Sequence, residues 1–282
     1  MWLKSPPNVV RSVTGFFQKP STLRYEVNAI NSHNILGMRV DGTSYEAATR
    51  QVIDWSARPE GRYVCVANVH MVMECYDDAS LQTLVNSADM VTPDGMPLVW
   101  TLGALGTPDP SRVYGPTLTL HLCEAAAKAG VPVGFYGGKE EVLTTLVSNL
   151  KAKYPELDIA YHYSPPFRPL SEEEDAQIVK DINASGARIL FVGLGCPRQE
   201  RWMAAHQNKL PLVSLGVGAA FDFHAGSVKQ APSWLQKAGL EWLFRFAMEP
   251  GRLWKRYLKH NPRFIYLVGK QLFQRRYRKV KA

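Results

Sequence analysis

The stretch Ala88-Asp-Met-Val-Thr-Pro-Asp-Gly-Met-Pro-Leu-Val-Trp100 decides how this chain is read. A short apolar run, residues 90–92, ends in Pro93-Asp94-Gly95, and an apolar segment, residues 96–102, follows. That pattern is strand, sharp turn, helix. Ligands of an open parallel sheet bind just outside the C-terminal ends of its strands, so Asp94 stands at a common address for a catalytic carboxylate. The same residues also make an ordinary turn, with Asp bonding its own backbone and Gly taking a positive φ. The rest of the chain has to choose between the two.

On either side, strands and helices alternate. Residues 35–40 read as a first strand. Thr43 and Glu46 have capping-box spacing ahead of a helix over 44–57. Continuous apolar runs at 63–68, 131–136, 159–163, 188–192 and 212–217 have strand length. Helical periods fall at 72–75, 81–87, 118–130, 140–154 and 197–207, and a helix opens at Ser171-Glu-Glu-Glu174. Apolar strands separated by helices predict an α/β fold: a Rossmann-like parallel sheet with helices on both faces. Residues 1–32 show no sustained period and read as a loosely ordered arm. Residues 33–240 form the predicted catalytic body.

After Gly218 the texture changes. Helices are expected over 234–248, 252–258 and 262–278, with Trp, Phe and Tyr interleaved among basic residues. The net charge is +8, but residues 241–282 hold 12 Lys/Arg against 2 Asp/Glu, so the body is nearly neutral. A basic aromatic appendage suits an anionic bilayer surface. Nucleic acid is the rival partner for such a patch, in a protein that need not be an enzyme. No run reaches the ~18 apolar residues of a membrane span. There is no signal-peptide core, and the four cysteines lack CxxC spacing and form no ligand cluster with His.

Two glycine-bearing turns follow strands and open helices: Gly137-Gly138, and Gly193-Leu194-Gly195-Cys196-Pro197. Glycine lets a backbone approach a phosphate, and a helix N-terminus offers free N–H groups. Neither turn is a full GxGxxG or P-loop. Gln199 and Glu200 could contact a sugar or a base, and Arg112 could neutralise a pyrophosphate. No DxD is present, so protein groups rather than a metal should balance a leaving diphosphate.

In order along the chain stand Pro93-Asp94-Gly95, Arg112-Val-Tyr-Gly115, Gly137-Gly138, Gly193-Leu-Gly-Cys-Pro-Arg-Gln-Glu200, Gly216-Val-Gly-Ala-Ala-Phe-Asp-Phe223, Ala231-Pro232 and Glu241-Trp242…Arg245…Glu249-Pro250…Arg252. Together they resemble the WecG/TagA/CpsF family of bacterial glycosyltransferases over about residues 35–260. The resemblance implies inverting, metal-independent transfer from a UDP-sugar to a polyprenyl-diphosphate-linked sugar at the cytoplasmic membrane face. It implies no cofactor and no nucleic-acid partner, peripheral attachment to the membrane, and self-association in some members.

The family's base matches Asp94 and its pocket arginine matches Arg112. Its loop glutamine matches Gln199, its appendage arginines match Arg245 and Arg252, and a third basic position falls at Lys255 or Arg256. Where the family often has Thr-x-Asn, this chain has Val66-Ala67-Asn68, leaving Asn68 to cover for the hydroxyl. The wording Val66-Ala-Asn-Val-His-Met-Val72 resembles the xanthan- and acetan-type branch. It implies a β-1,4-glucosyl donor and exopolysaccharide synthesis. The alternative is N-acetylmannosamine transfer of the teichoic-acid or enterobacterial-antigen type.

Overall fold

A computed structural model describes residues 31–281, apart from the side chains of residues 252 and 279–281. A hairpin comes first: β1 (Asn31–Ile35) and β2 (Met38–Gly42). Then come α1 (Tyr45–Ser56), β3 (Arg62–Ala67), α2 (Val69–Asp77), α3 (Ala79–Asn86), β4 (Met90–Pro93), α4 (Met96–Leu105), α5 (Gly115–Ala129) and β5 (Val133–Gly137). Next are α6 (Glu140–Lys153), β6 (Ile159–Tyr163), α7 (Glu172–Ser185), β7 (Ile189–Gly193), α8 (Arg198–His206) and β8 (Val213–Gly216). The chain closes with α9 (Ala220–Ala225), α10 (Ser233–Lys237), α11 (Glu241–Met248) and α12 (Pro250–Lys281).

Six strands form one parallel sheet in the order β4-β3-β8-β7-β5-β6. Strand side chains alternate faces, and the core divides accordingly. Tyr63, Cys65, Ala67, Leu190 and Val192 point to one layer, with Met71, Leu98 and Met203 from the helices. Val64, Val66, Ile189 and Phe191 point to the other, with Leu118, Leu146 and Phe221. Burial on both faces is why these strands read as unbroken apolar runs. Phe135 and Phe191 stack at 5.0 Å in the second layer. Truncating either to Ala would cost about 3–5 kcal/mol. The helix expected to open at Ser171 does so with a full capping box, where Ser171 and Glu174 satisfy each other's backbone N–H.

Four local expectations are corrected and one helix was unforeseen. The single helix expected over 234–248 is two, α10 and α11, with Gly239 at φ 72° between them. Residues 35–40 are not one strand: Leu36 and Gly37 take positive φ (53° and 95°) and turn the chain into the hairpin. The α1 cap is Ser44, not Thr43, its hydroxyl accepting from the Ala47 N–H at 3.1 Å. A short helix, α9, had no period long enough to be noticed. The helices expected over 252–258 and 262–278 are one, because α12 runs through Pro262. Pro250 opens that helix at a position where its missing N–H is harmless. The expected arm falls mostly on residues 1–30, outside the described residues, while Asn31 and Ser32 already belong to β1.

Helix α12 is fastened to the body along α2 and the hairpin. Phe264 and Val268 are buried in the first core layer. Arg263 makes two bonds to Asp77, at 2.9 and 2.7 Å. Gln271 accepts from the Leu36 N–H at 3.0 Å and donates to the Asn34 carbonyl at 2.7 Å.

Candidate active site

Asp94 follows β4, and its N–H still donates to Ala67 of β3 at 2.7 Å, so the turn is fixed against the sheet. Helix α5 has no side-chain cap of its own. Asp94 supplies one, with its Oδ1 accepting from the Gly115 N–H at 2.9 Å. That locks the carboxylate to a helix N-terminus, where the dipole favours negative charge. Burial nevertheless pushes the Asp94 pKa up to about 6. Glu241 adds to the rise, while Arg112, the Gly115 bond and Arg245 oppose it. A carboxylate poised near 6 is a serviceable general base at neutral pH.

Arg112 reaches Asp94 from the loop before α5. Its Nε donates to the Asp94 carbonyl, and its Nη2 pairs with Glu241 of α11. Its guanidinium lies 4.1 Å from the Tyr114 ring centroid. Arg245, one helical turn beyond Glu241, lies 5.5 Å from the Phe223 ring centroid.

A cavity of about 540 Å³ lies between the sheet rim and helices α11 and α12. Asn68, Asp94, Arg112, Arg245 and Arg256 line it, with His70, Trp100 and Glu241. Five of the expected site residues therefore line one cavity. Lys255 does not line it and lies 5.6 Å from the Trp254 ring centroid, so the third basic position facing the cavity is Arg256. Arg252 sits on the first turn of α12. The seven-and-four spacing of Arg245, Arg252 and Arg256 does not lie on one continuous helix, because Glu249 separates α11 from α12.

The glycine loops stand elsewhere on the rim. Gly137 ends β5 and Gly193 ends β7, while Asp94 follows β4, three strand positions from β7. At ~4.8 Å per strand that is roughly 14 Å. Their glycines serve close packing: a Cβ on Gly137 would lie 2.7 Å from the Gly193 carbonyl carbon, and one on Gly193 2.7 Å from the Phe221 ring. The Gly138 N–H donates to Gly193 and the Gly195 N–H to Gln199, so neither is free for a phosphate. Pro197 stands at the N-cap of α8 without a side-chain cap bond. A second cavity, of about 830 Å³, opens beside these loops, lined by Tyr136, Leu194, Arg198 and Trp202 among others.

Gln199 and Glu200 are buried rather than presented to a ligand. Gln199 bridges its loop, accepting from Gly195 at 3.1 Å and donating to Glu200 at 2.8 Å. Burial pushes Glu200 up to about 6, partly opposed by the Gln199 bond. Asn68 caps α2, its side chain accepting from the Met71 N–H at 3.3 Å. Val66, where the family often has threonine, is buried in the second core layer.

Sequence reasoning missed four residues. Glu241 was legible only as part of a motif, though it holds the pocket arginine. His70 and Glu74 sit one turn apart on α2, and folding brings His260 of α12 to them from far along the chain. The nitrogen and oxygen atoms of all three lie within 4.8 Å of one another.

The profile of the "Glycosyl transferase WecG/TagA/CpsF family" matches residues 33–278. The chain belongs to this family. Among its relatives is an "N-acetylglucosaminyldiphosphoundecaprenol N-acetyl-beta-D-mannosaminyltransferase" of Bacillus spizizenii, 30% identical over 75% of this chain and 80% of that protein. A protein of the same name from Staphylococcus aureus strain MW2 is 28% identical over 84% of this chain and 92% of its own. These relatives overturn the expected xanthan- and acetan-type glucosyl reading and the exopolysaccharide role attached to it. Within the segment that suggested it, residues 66–72, Val66 packs in the core and Asn68 caps α2. No helix among the described residues is long and apolar enough to cross a membrane.

Proposed function

We propose that this protein transfers an N-acetylmannosaminyl group from a UDP-linked donor to N-acetylglucosamine carried on a polyprenyl diphosphate, with inversion at the anomeric carbon. The observation that carries the reading is one cavity lined by Asp94, Arg112, Arg245 and Arg256, in a chain whose relatives bear that activity in their names.

Asp94 takes the proton of the acceptor hydroxyl as its oxygen attacks the anomeric carbon from the face opposite the diphosphate. The C–O bond to the diphosphate breaks as the new glycosidic bond forms. Arginines lining the cavity stabilise the charge that develops on the leaving group. Asn68 and Arg112 orient the groups flanking the reacting carbon. The donor is laid along the C-terminal rim of the sheet, its nucleoside toward the glycine loops.

The lipid tail of the acceptor stays in a membrane. Basic residues of α12 hold the cavity at that surface, with Ile265, Tyr266 and Phe273 (71%, 70% and 72% exposed) entering the interface.

The test is a donor panel: UDP-N-acetylmannosamine, UDP-N-acetylglucosamine and UDP-glucose, each offered with a short-chain N-acetylglucosaminyl-diphosphate lipid. The expected result is a disaccharide lipid from the first donor at least a hundredfold faster than from the others. Equal or faster transfer of another sugar would refute the donor assignment, and no transfer to any lipid-linked acceptor would refute the reaction.

A further inference from the structure

We propose that His70, Glu74 and His260 bind a divalent first-row transition ion, zinc being the best fit, that staples α12 to α2 beneath the appendage. His70 and Glu74 present one ligand atom each from successive turns of α2, and His260 presents one from α12. The Glu74 carboxylate oxygen lies 3.7 Å from His70 Nδ1 and 3.4 Å from His260 Nε2. Both distances are too long for good hydrogen bonds, which centre near 2.9 Å. They are close to the ~3.3 Å that separates two ligand atoms on a tetrahedral zinc at bond lengths of 2.0–2.1 Å.

Two imidazoles and one carboxylate are a familiar donor set for a site that keeps one position open. His70 and His260 also line the cavity. The His70 Nδ1 atom is buried with no hydrogen-bond partner, which an ion would satisfy. Two cations stand near. Lys259 is drawn off to Asp77 at 3.6 Å. Arg256 opposes the ion, and the Glu74 charge offsets it. This inference does not rest on the proposed reaction, and the ion takes no part in the transfer chemistry.

The experiment uses the full-length protein, purified without a histidine tag and stripped with chelator. Co²⁺ is titrated first, then Zn²⁺. The expected result is one ion retained per chain after desalting, visible d–d bands of low-coordinate cobalt, and their loss on adding zinc. His260→Gln and Glu74→Gln should each weaken cobalt affinity at least tenfold, with an unchanged far-ultraviolet spectrum showing that they fold. Should His260→Gln fail to fold, Glu74→Gln, at a half-exposed position, decides. Substoichiometric uptake by the unmodified chain, or unchanged affinity in a folded variant, overturns the proposal.

Discussion

At the scale of the residue, Asp94 is asked to do two conflicting things. It is buried enough for its pKa to rise to about 6, yet it must be charged to act as a base. The sign of the linkage follows. Its folded pKa lies above its ordinary value of 3.8, so the native state holds the proton more tightly than the unfolded chain. Stability therefore rises as pH falls through 6 toward 4, and the penalty is fully present above 6. Asp94→Asn removes that penalty while the amide oxygen can still accept from Gly115. Its midpoint of thermal unfolding at pH 7.5 should rise, by the equivalent of up to about 3 kcal/mol. A fall in the midpoint would show that the charge is stabilising instead. Because Glu200 is also raised, the difference between variant and native chain isolates Asp94. Turnover should lose about tenfold per pH unit below 6 and level off above it, as a single ionisation requires. A flat pH profile between 5 and 8 would contradict that role.

At the scale of the element, the appendage is docked through a few specific contacts. Glu241 of α11 holds Arg112, and both side chains are mostly buried, at 12% and 15% exposed. Removing one partner leaves the other charge uncompensated. Arg112→Ala and Glu241→Ala should each destabilise, and a double-mutant cycle should return a coupling of at least about 1.5 kcal/mol. A coupling near zero would mean that this pair does not help to hold the appendage.

Much at this scale was legible. Strands buried on both faces read as unbroken apolar runs, and Ser171 with Glu174 announced its helix. The turn at Leu36-Gly37 was hidden because leucine rarely takes positive φ. Helix α12 was broken on paper at Pro262, since proline ordinarily interrupts a helix and tertiary packing by Phe264 and Val268 overrides it here. The site was half legible. Asp94 announced itself at a strand end, but the roles of Glu241 and His260 depend on contacts across more than a hundred residues. The glycine turns only hinted at a phosphate loop, without a full motif, and close packing, against Phe221 among others, explains the same glycines.

At the scale of the molecule, a nearly neutral α/β body carries a basic helix whose aromatic residues remain exposed. Phe273 and Tyr277 are 72% and 55% exposed among Arg275, Arg276 and Arg278. Charge and apolar insertion should act together on vesicles. Replacing the three arginines with Gln should cut partitioning onto vesicles containing anionic lipid at least tenfold, since each charge is worth about 1 kcal/mol there. Binding by the unmodified chain should weaken with salt. Vesicle sedimentation reads both, and indifference to lipid charge would remove the membrane role from this helix.

The account's central claim is that one carboxylate, Asp94, takes the acceptor's proton. Its most direct test is the single-turnover rate of Asp94→Asn with saturating UDP-N-acetylmannosamine and lipid-linked N-acetylglucosamine, alongside donor affinity by calorimetry. The predicted result is a rate lowered by about 10²–10⁴ with donor affinity within a few-fold of normal. A rate within tenfold of the unmodified protein would contradict the claim.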